Sequence, residues 1–181
     1  MGKAVDYAYE NGVIIVAASD NNISPHAMYP AKYFRTICAG GIEPDGTIWR
    51  THFEEVRDFI DIFAPADEIF RADSRRIGDR VEPGDYSENG DGTSYAAACT
   101  AGAAALWLAH REDDIQKAYD DEPWMTVEAF RTLLKQTASS LTKPRSGIDT
   151  GILDIKRLLE APLPNPGTLE KEGRLAAKQK F

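Results

Sequence analysis

The 181 residues carry 21 Lys and Arg against 29 Asp and Glu, a formal net charge of −8, and 43% of them are apolar. That length supports one domain with a substantial core, and an acidic balance without a dense basic patch argues against nucleic acid and anionic membrane as partners. Near the start the longest apolar run, residues 13–18, is too short for a bilayer span or a signal-peptide core, and Asp6 stands where a myristoylation signal needs Ser or Thr.

In chain order, residues 3–12 (KAVDYAYENG) place Ala4, Val5, Ala8 and Tyr9 at helical spacing and end at Asn11-Gly12, which predicts a helix and its stop. The β-branched run 13–19 (VIIVAAS) predicts a strand buried on both faces of a parallel sheet. A loop over 20–33 leads to a second strand, TICAGGI, then a turn, EPDGTI, and a third strand, FIDIFAP, ended by Pro65. Residues 66–92 are polar, charged and glycine-bearing, which predicts a long surface loop. Residues 93–110 read as a helix that is apolar all round and so belongs in the middle of the protein. A further helix covers 126–138, with Thr126 as N-cap and Val127, Phe130, Leu133 and Leu134 as its stripe. A closing helical segment follows in GILDIKRLLEAP. The alternation predicts an α/β fold, a mainly parallel sheet flanked by helices. Residues 1–161 form its domain, and 162–181 a proline-rich tether and charged tail, mobile or docked outside the core. Cys38 and Cys99 both lie in apolar segments, which fits buried free thiols or a single structural disulfide.

The chemistry concentrates in GDGTSYAAACTAGAAALWLAH, residues 90–110. A hydroxyl at a helix start lies among unpaired backbone N–H groups and the positive end of the helix dipole. Two readings follow: Thr93 or Ser94 merely caps the helix, or Ser94 is a nucleophile whose oxyanion those donors would stabilise. Gly90 and Gly92 would let a substrate backbone approach.

DGTSYAAACTAGAAALWL resembles the serine motif of the subtilisin-like serine peptidases, the subtilases, with Ser94 at the nucleophile position after Gly92 and Thr93. NGVIIVAASDNN resembles that family's strand ending in Ala-Gly-Asn, which places Asn21, or failing it Asn22, as the oxyanion asparagine. YPAKYFRTICAGGIEPDG, FIDIFAPADEI and IDTGILDIKRLLEA match three further family segments in the right order. The resemblance implies a subtilisin-like α/β fold and serine endopeptidase activity on a peptide or protein substrate through an acyl-enzyme. It requires no cofactor, although family members bind a structural calcium or monovalent cation near the segment matched by Ala31, Tyr33 and Thr36, with an acid at Asp61.

Subtilases carry their triad in the order Asp, His, Ser. The Asp segment, the His-Gly-Thr helix and the substrate-pairing strand would all precede Asn21 and have no match here. The expectation is therefore the C-terminal half of a catalytic domain, inactive alone, whose partner is the N-terminal half, or a second copy paired through an exposed sheet edge. The alternative is a degenerate, non-catalytic module for binding or assembly. His26, His52 and His110 each lack a following Gly-Thr and read as structural or exposed. Asp149-Thr150-Gly151 matches the subtilase Asp motif but lies on the wrong side of the serine; an aspartic-peptidase role would require a symmetric dimer, and the triplet reads as a turn. Departures from the family pattern are Asp20 for glycine before the oxyanion asparagine, Ala98-Cys99 for Pro-His, Ala66 for glycine after Ala-Pro, and Glu54-Glu55 for Ser-Asn.

Overall fold

As a computed structural model, the chain is described at residues 1–21, 28–49, 59–143 and 149–173. Val5 and Tyr9, one turn apart, form the buried face of α1 (Gly2–Glu10). Gly12 closes it at φ +73°, where a Cβ would lie 2.7 Å from the Pro123 carbonyl oxygen. Three strands follow, β1 (Val16–Ala18), β2 (Ile37–Ile42) and β3 (Ile62–Pro65), all parallel in the order β1-β2-β3. The first is shorter than VIIVAAS predicts, although Ile37 N–H donates to Ile15 O and Ser19 N–H to Ala39 O at its ends. Every residue of β2 is buried, as expected of a central parallel strand. Among the described residues β1 pairs with β2 alone, so its outer edge is open.

Residues 66–92 are where the sequence expectation fails. They form an antiparallel hairpin, β4 (Ile69–Ile77) and β5 (Arg80–Gly90), joined through Gly78 and Asp79 with Ile77 opposite Arg80. Gly78 has φ +61°, the left-handed conformation that a two-residue hairpin turn demands.

Among the described residues four α-helices complete the fold: α2 (Thr93–His110), α3 (Glu112–Tyr119), α4 (Trp124–Thr137) and α5 (Ile155–Glu160). The second of these, α3, was absent from the sequence expectation. The predicted Thr126 cap is displaced: α4 starts two residues earlier, and Thr126 is buried in its first turn. Asp154 caps α5, its carboxylate accepting from Arg157 N–H at 3.0 Å. A core of Ile37, Ile62, Trp107, Phe130, Leu133 and Leu158 lies between the sheet and the helices, with the Trp107 and Phe130 rings 5.4 Å apart. Cys38 and Phe63, next along their strands, point to the opposite face and pack with Ala17, Ala31 and Leu141.

Packed against all three strands, α2 buries Thr93, Ala96, Thr100, Ala103 and Trp107. It is not enclosed, however: Ala98, Cys99, Ala101, Gly102, Ala105 and Leu106 are exposed, Leu106 by 54%. An all-apolar helix wants both faces covered, but that composition does not say that the cover lies within these residues. The segment from 162 onward is docked as far as it is described. Leu163 and Leu169 pack on the core, Tyr119 Oη donates to Pro164 O at 2.6 Å, and Arg35 Nη2 donates to Glu172 O at 2.8 Å.

Candidate functional site

β1 and β3 end on the same side of the sheet, the side where ligands of parallel α/β sheets bind. From the end of β3, Ala66 O accepts from Gly92 N–H at 2.8 Å and fixes the turn that opens α2. That turn needs glycine, since Gly92 has φ +137°. Gly92 is the N-cap and makes no side-chain cap, so Thr93 and Ser94 occupy the first two helical positions and cap nothing. The cap comes from the end of β1 instead: Asn21 Oδ1 accepts from both Thr93 N–H and Thr93 Oγ1–H at 2.8 Å. Because a backbone N–H must donate, the atom facing Thr93 is the amide oxygen. The Nδ2 group is thereby turned along the helix mouth; it would lie 3.1 Å from a Cβ placed on Gly92. Thr93 is wholly buried beneath this contact, whereas Ser94 is exposed in the same turn. The structure therefore brings Asn21 and Ser94, predicted 73 residues apart in sequence, to one helix N-terminus. Asn22, His26, His52, Glu54 and Glu55 lie outside the described residues, and His110 is exposed in the last turn of α2, at the opposite end from Ser94.

The four residues of the cation expectation also converge, around a pocket of about 170 Å³ that Arg131 and Lys135 share with them. Tyr33 O accepts from Thr36 N–H at 2.9 Å and Thr36 Oγ1–H at 2.7 Å. Asp61 Oδ2 accepts from Cys38 N–H at 2.9 Å, and Asp61 Oδ1 from Arg131 Nη1 at 2.7 Å. Sequence reasoning missed Arg131, which shares α4 with the predicted apolar stripe yet is only 9% exposed. Asp149-Thr150-Gly151 is not the turn that the sequence predicts: it carries no turn and runs beside β3, where Phe63 N–H donates to Gly151 O at 2.9 Å. Thr150 Oγ1 donates to Asp61 O at 2.6 Å, and a Cβ on Gly151 would sit 2.2 Å from Ser139 O.

The model of the Subtilase family matches residues 1–165. The chain belongs to the subtilase family. Fervidolysin of Fervidobacterium pennivorans is 30% identical over 184 residues, spanning 94% of this chain and 25% of its own. Subtilisin DY of Bacillus licheniformis is 29% identical over 143 residues, spanning 77% and 44%. The crystal structure of fervidolysin, described as a keratinolytic enzyme related to subtilisin, superimposes with a TM-score of 0.65 at 27% identity over 91% of this chain and 25% of that one. The prenylagaramide maturation protease PagA gives the same TM-score at 23% identity over 87% and 53%, a likeness of fold alone. The parallel sheet flanked by helices is thus a subtilisin-like fold, and the chain spans between a quarter and about half the length of these relatives.

Against the subtilase pattern, Asp20 is the most informative departure. It adopts φ +114°, a conformation that favours the glycine of the family motif. Its Oδ1 accepts from the Asn21 N–H at 2.6 Å, so the carboxylate is engaged by the backbone of the turn. Tyr95, which follows Ser94, is held by the hairpin: Arg71 Nη1 donates to its hydroxyl at 2.6 Å. The two cysteines are free thiols and only Cys38 is buried, so neither a disulfide nor a second buried thiol is present. Burial raises the pKa of Cys38, and partial desolvation on the helix surface raises that of Cys99.

Proposed function

We propose that the chain is the nucleophile-bearing part of a subtilase serine endopeptidase. The observation that carries this reading is the pair of hydrogen bonds from Thr93 to Asn21 Oδ1, which fixes an amide donor at the helix mouth that bears Ser94. In the proposed reaction Ser94 Oγ attacks the scissile carbonyl as a base removes its proton. The Asn21 Nδ2–H and the Ser94 N–H stabilise the oxyanion. The C–N bond then breaks, the base returns its proton to the leaving amine, and water hydrolyses the acyl-enzyme by the same route. The base and its orienting carboxylate are supplied by a segment carrying the subtilase Asp-(Ser/Thr)-Gly and His-Gly-Thr motifs, outside these residues. That segment covers the exposed face of α2 and the open edge of β1. Without it the serine stays protonated and the chain is inactive. A fluorophosphonate probe tests this: Ser94 is labelled when an N-terminal subtilase segment is added and left unlabelled in the chain alone.

A second reading is supported by Asp20 and Ala98-Cys99, which depart from the family at the site itself. On it the chain is a non-catalytic module whose copies pair through the open edge of β1. Size-exclusion chromatography separates the two, because a strict monomer at high concentration removes the support for edge pairing.

A further inference from the structure

The family resemblance led to the expectation of a metal ion among Ala31, Tyr33, Thr36 and Asp61. A calcium ion takes six to eight oxygen ligands that are free to face it. Here the cradle oxygens of Tyr33, Thr36 and Asp61 already face hydrogen-bond donors. Tyr33 O is taken by Thr36, and the two Asp61 oxygens by Cys38 N–H and Arg131. The Arg131 guanidinium reaches the Thr36 carbonyl and the neighbouring Phe34 carbonyl, with Nη1 3.3 Å from Thr36 O and Nη2 2.6 Å from Phe34 O. Its Nε donates to Glu128 Oε2 at 3.1 Å. A second cation, Lys135 Nζ, stands 3.6 Å from Asp61 Oδ1. A metal ion would therefore displace hydrogen bonds and meet two positive charges. Burial works against the Arg131 charge, but the Asp61 and Glu128 carboxylates outweigh it and hold the group protonated.

We propose that Arg131 is a built-in cation, its guanidinium bridging the carbonyls of the 34–36 turn to the Asp61 carboxylate in place of an exchangeable metal ion. A planar fork with five donors suits this task, since it can span a carboxylate and two carbonyls at once. The inference is independent of whether Ser94 is a nucleophile, because it concerns the opposite end of the loop that leads into β2 and not the helix mouth.

Thermal unfolding of the full chain decides it, run in excess EDTA, in calcium chloride and in potassium chloride at matched ionic strength. The wild-type midpoint is expected to be the same in all three. R131M is expected to melt lower by about 10 °C and to recover part of that loss in calcium or potassium, whose ions find the freed oxygens. A calcium- or potassium-induced rise in the wild-type midpoint that D61N abolishes would overturn the proposal, and that comparison stands even if R131M does not fold. R131M melting within about 1 °C of wild type would overturn it equally.

Discussion

Asn21 is given two separable tasks by this geometry, and substitution can pull them apart. Its Oδ1 is the partner of both the N–H and the hydroxyl of Thr93, each at 2.8 Å; Thr93 is wholly buried, whereas Asn21 is exposed, so both bonds are part-buried. In N21A the buried N–H loses its acceptor, at about 1–3 kcal/mol, and the hydroxyl loses a bond of about 1 kcal/mol. The sum, about 2–4 kcal/mol, is a large part of the roughly 5–15 kcal/mol that holds a domain together. With a urea m-value of about 2 kcal/mol/M, the midpoint should fall by about 1–2 M. N21D should behave otherwise. A carboxylate oxygen accepts both bonds and gains about 0.3–1 kcal/mol at the positive end of α2, partly offset by the neighbouring Asp20, so its midpoint should stay within about 0.5 M of wild type. Yet N21D has no Nδ2 donor, and in the completed active site it should lower kcat by about 10²–10³. Urea unfolding followed by far-UV circular dichroism measures the first effect in the isolated chain. The reasoning is refuted if N21A unfolds within about 0.5 kcal/mol of wild type, or if N21D is as destabilised as N21A.

At Asp20, D20G and D20A both lose the bond to Asn21 N–H, so their difference isolates the strain of φ +114°. D20G should be more stable by about 0.5–2 kcal/mol, relief of about 1–3 less the extra chain entropy of glycine, and equal stabilities in urea would remove the strain argument. Of the two thiols, Cys99 on the exposed face of α2 should react with a thiol reagent while Cys38 reacts only on unfolding; adding the N-terminal segment should protect Cys99, and unchanged reactivity would show that this face is not where the segment docks. The hydrogen bond from Lys171 holds the Glu10 carboxyl below its ordinary pKa. A carboxyl lowered on folding stabilises above its unfolded pKa and loses that contribution as pH falls through the folded value. The stability gap between wild type and E10Q should therefore shrink from about pH 6 to about pH 3, and a gap that widens on acidification would contradict the assignment.

How much was legible depended on how local the cause was. Ser94, Gly92 and Thr93 are contiguous, and the glycine that sets the turn sits beside the serine it aims, so the motif could be read directly. Asn21 was legible only through the family resemblance, because its hydrogen bonds cross 72 residues. The hairpin was missed because its strands are polar, so apolar alternation gave no signal. Gly78-Asp79, a two-residue turn pair, was the signal available there. Helix α3 hid in an acidic stretch, with Ile115 and Tyr119 as its only buried residues. Arg131 could not be read at all as a buried cation, since the carboxylate that stabilises it lies 70 residues upstream. The open face of α2 was invisible for a related reason: composition records what a helix would bury, not whether a cover is at hand.

The central claim is that Ser94 is a nucleophile waiting for its base, and active-site labelling tests it most directly. The chain alone and the chain mixed with a segment carrying the subtilase Asp and His motifs are each exposed to a fluorophosphonate probe, and the adduct is located by peptide mapping. Stoichiometric modification of Ser94 in the mixture, absent from the isolated chain and from S94A, is the predicted result. Rapid labelling of the isolated chain, or none in a mixture shown to assemble, would contradict it.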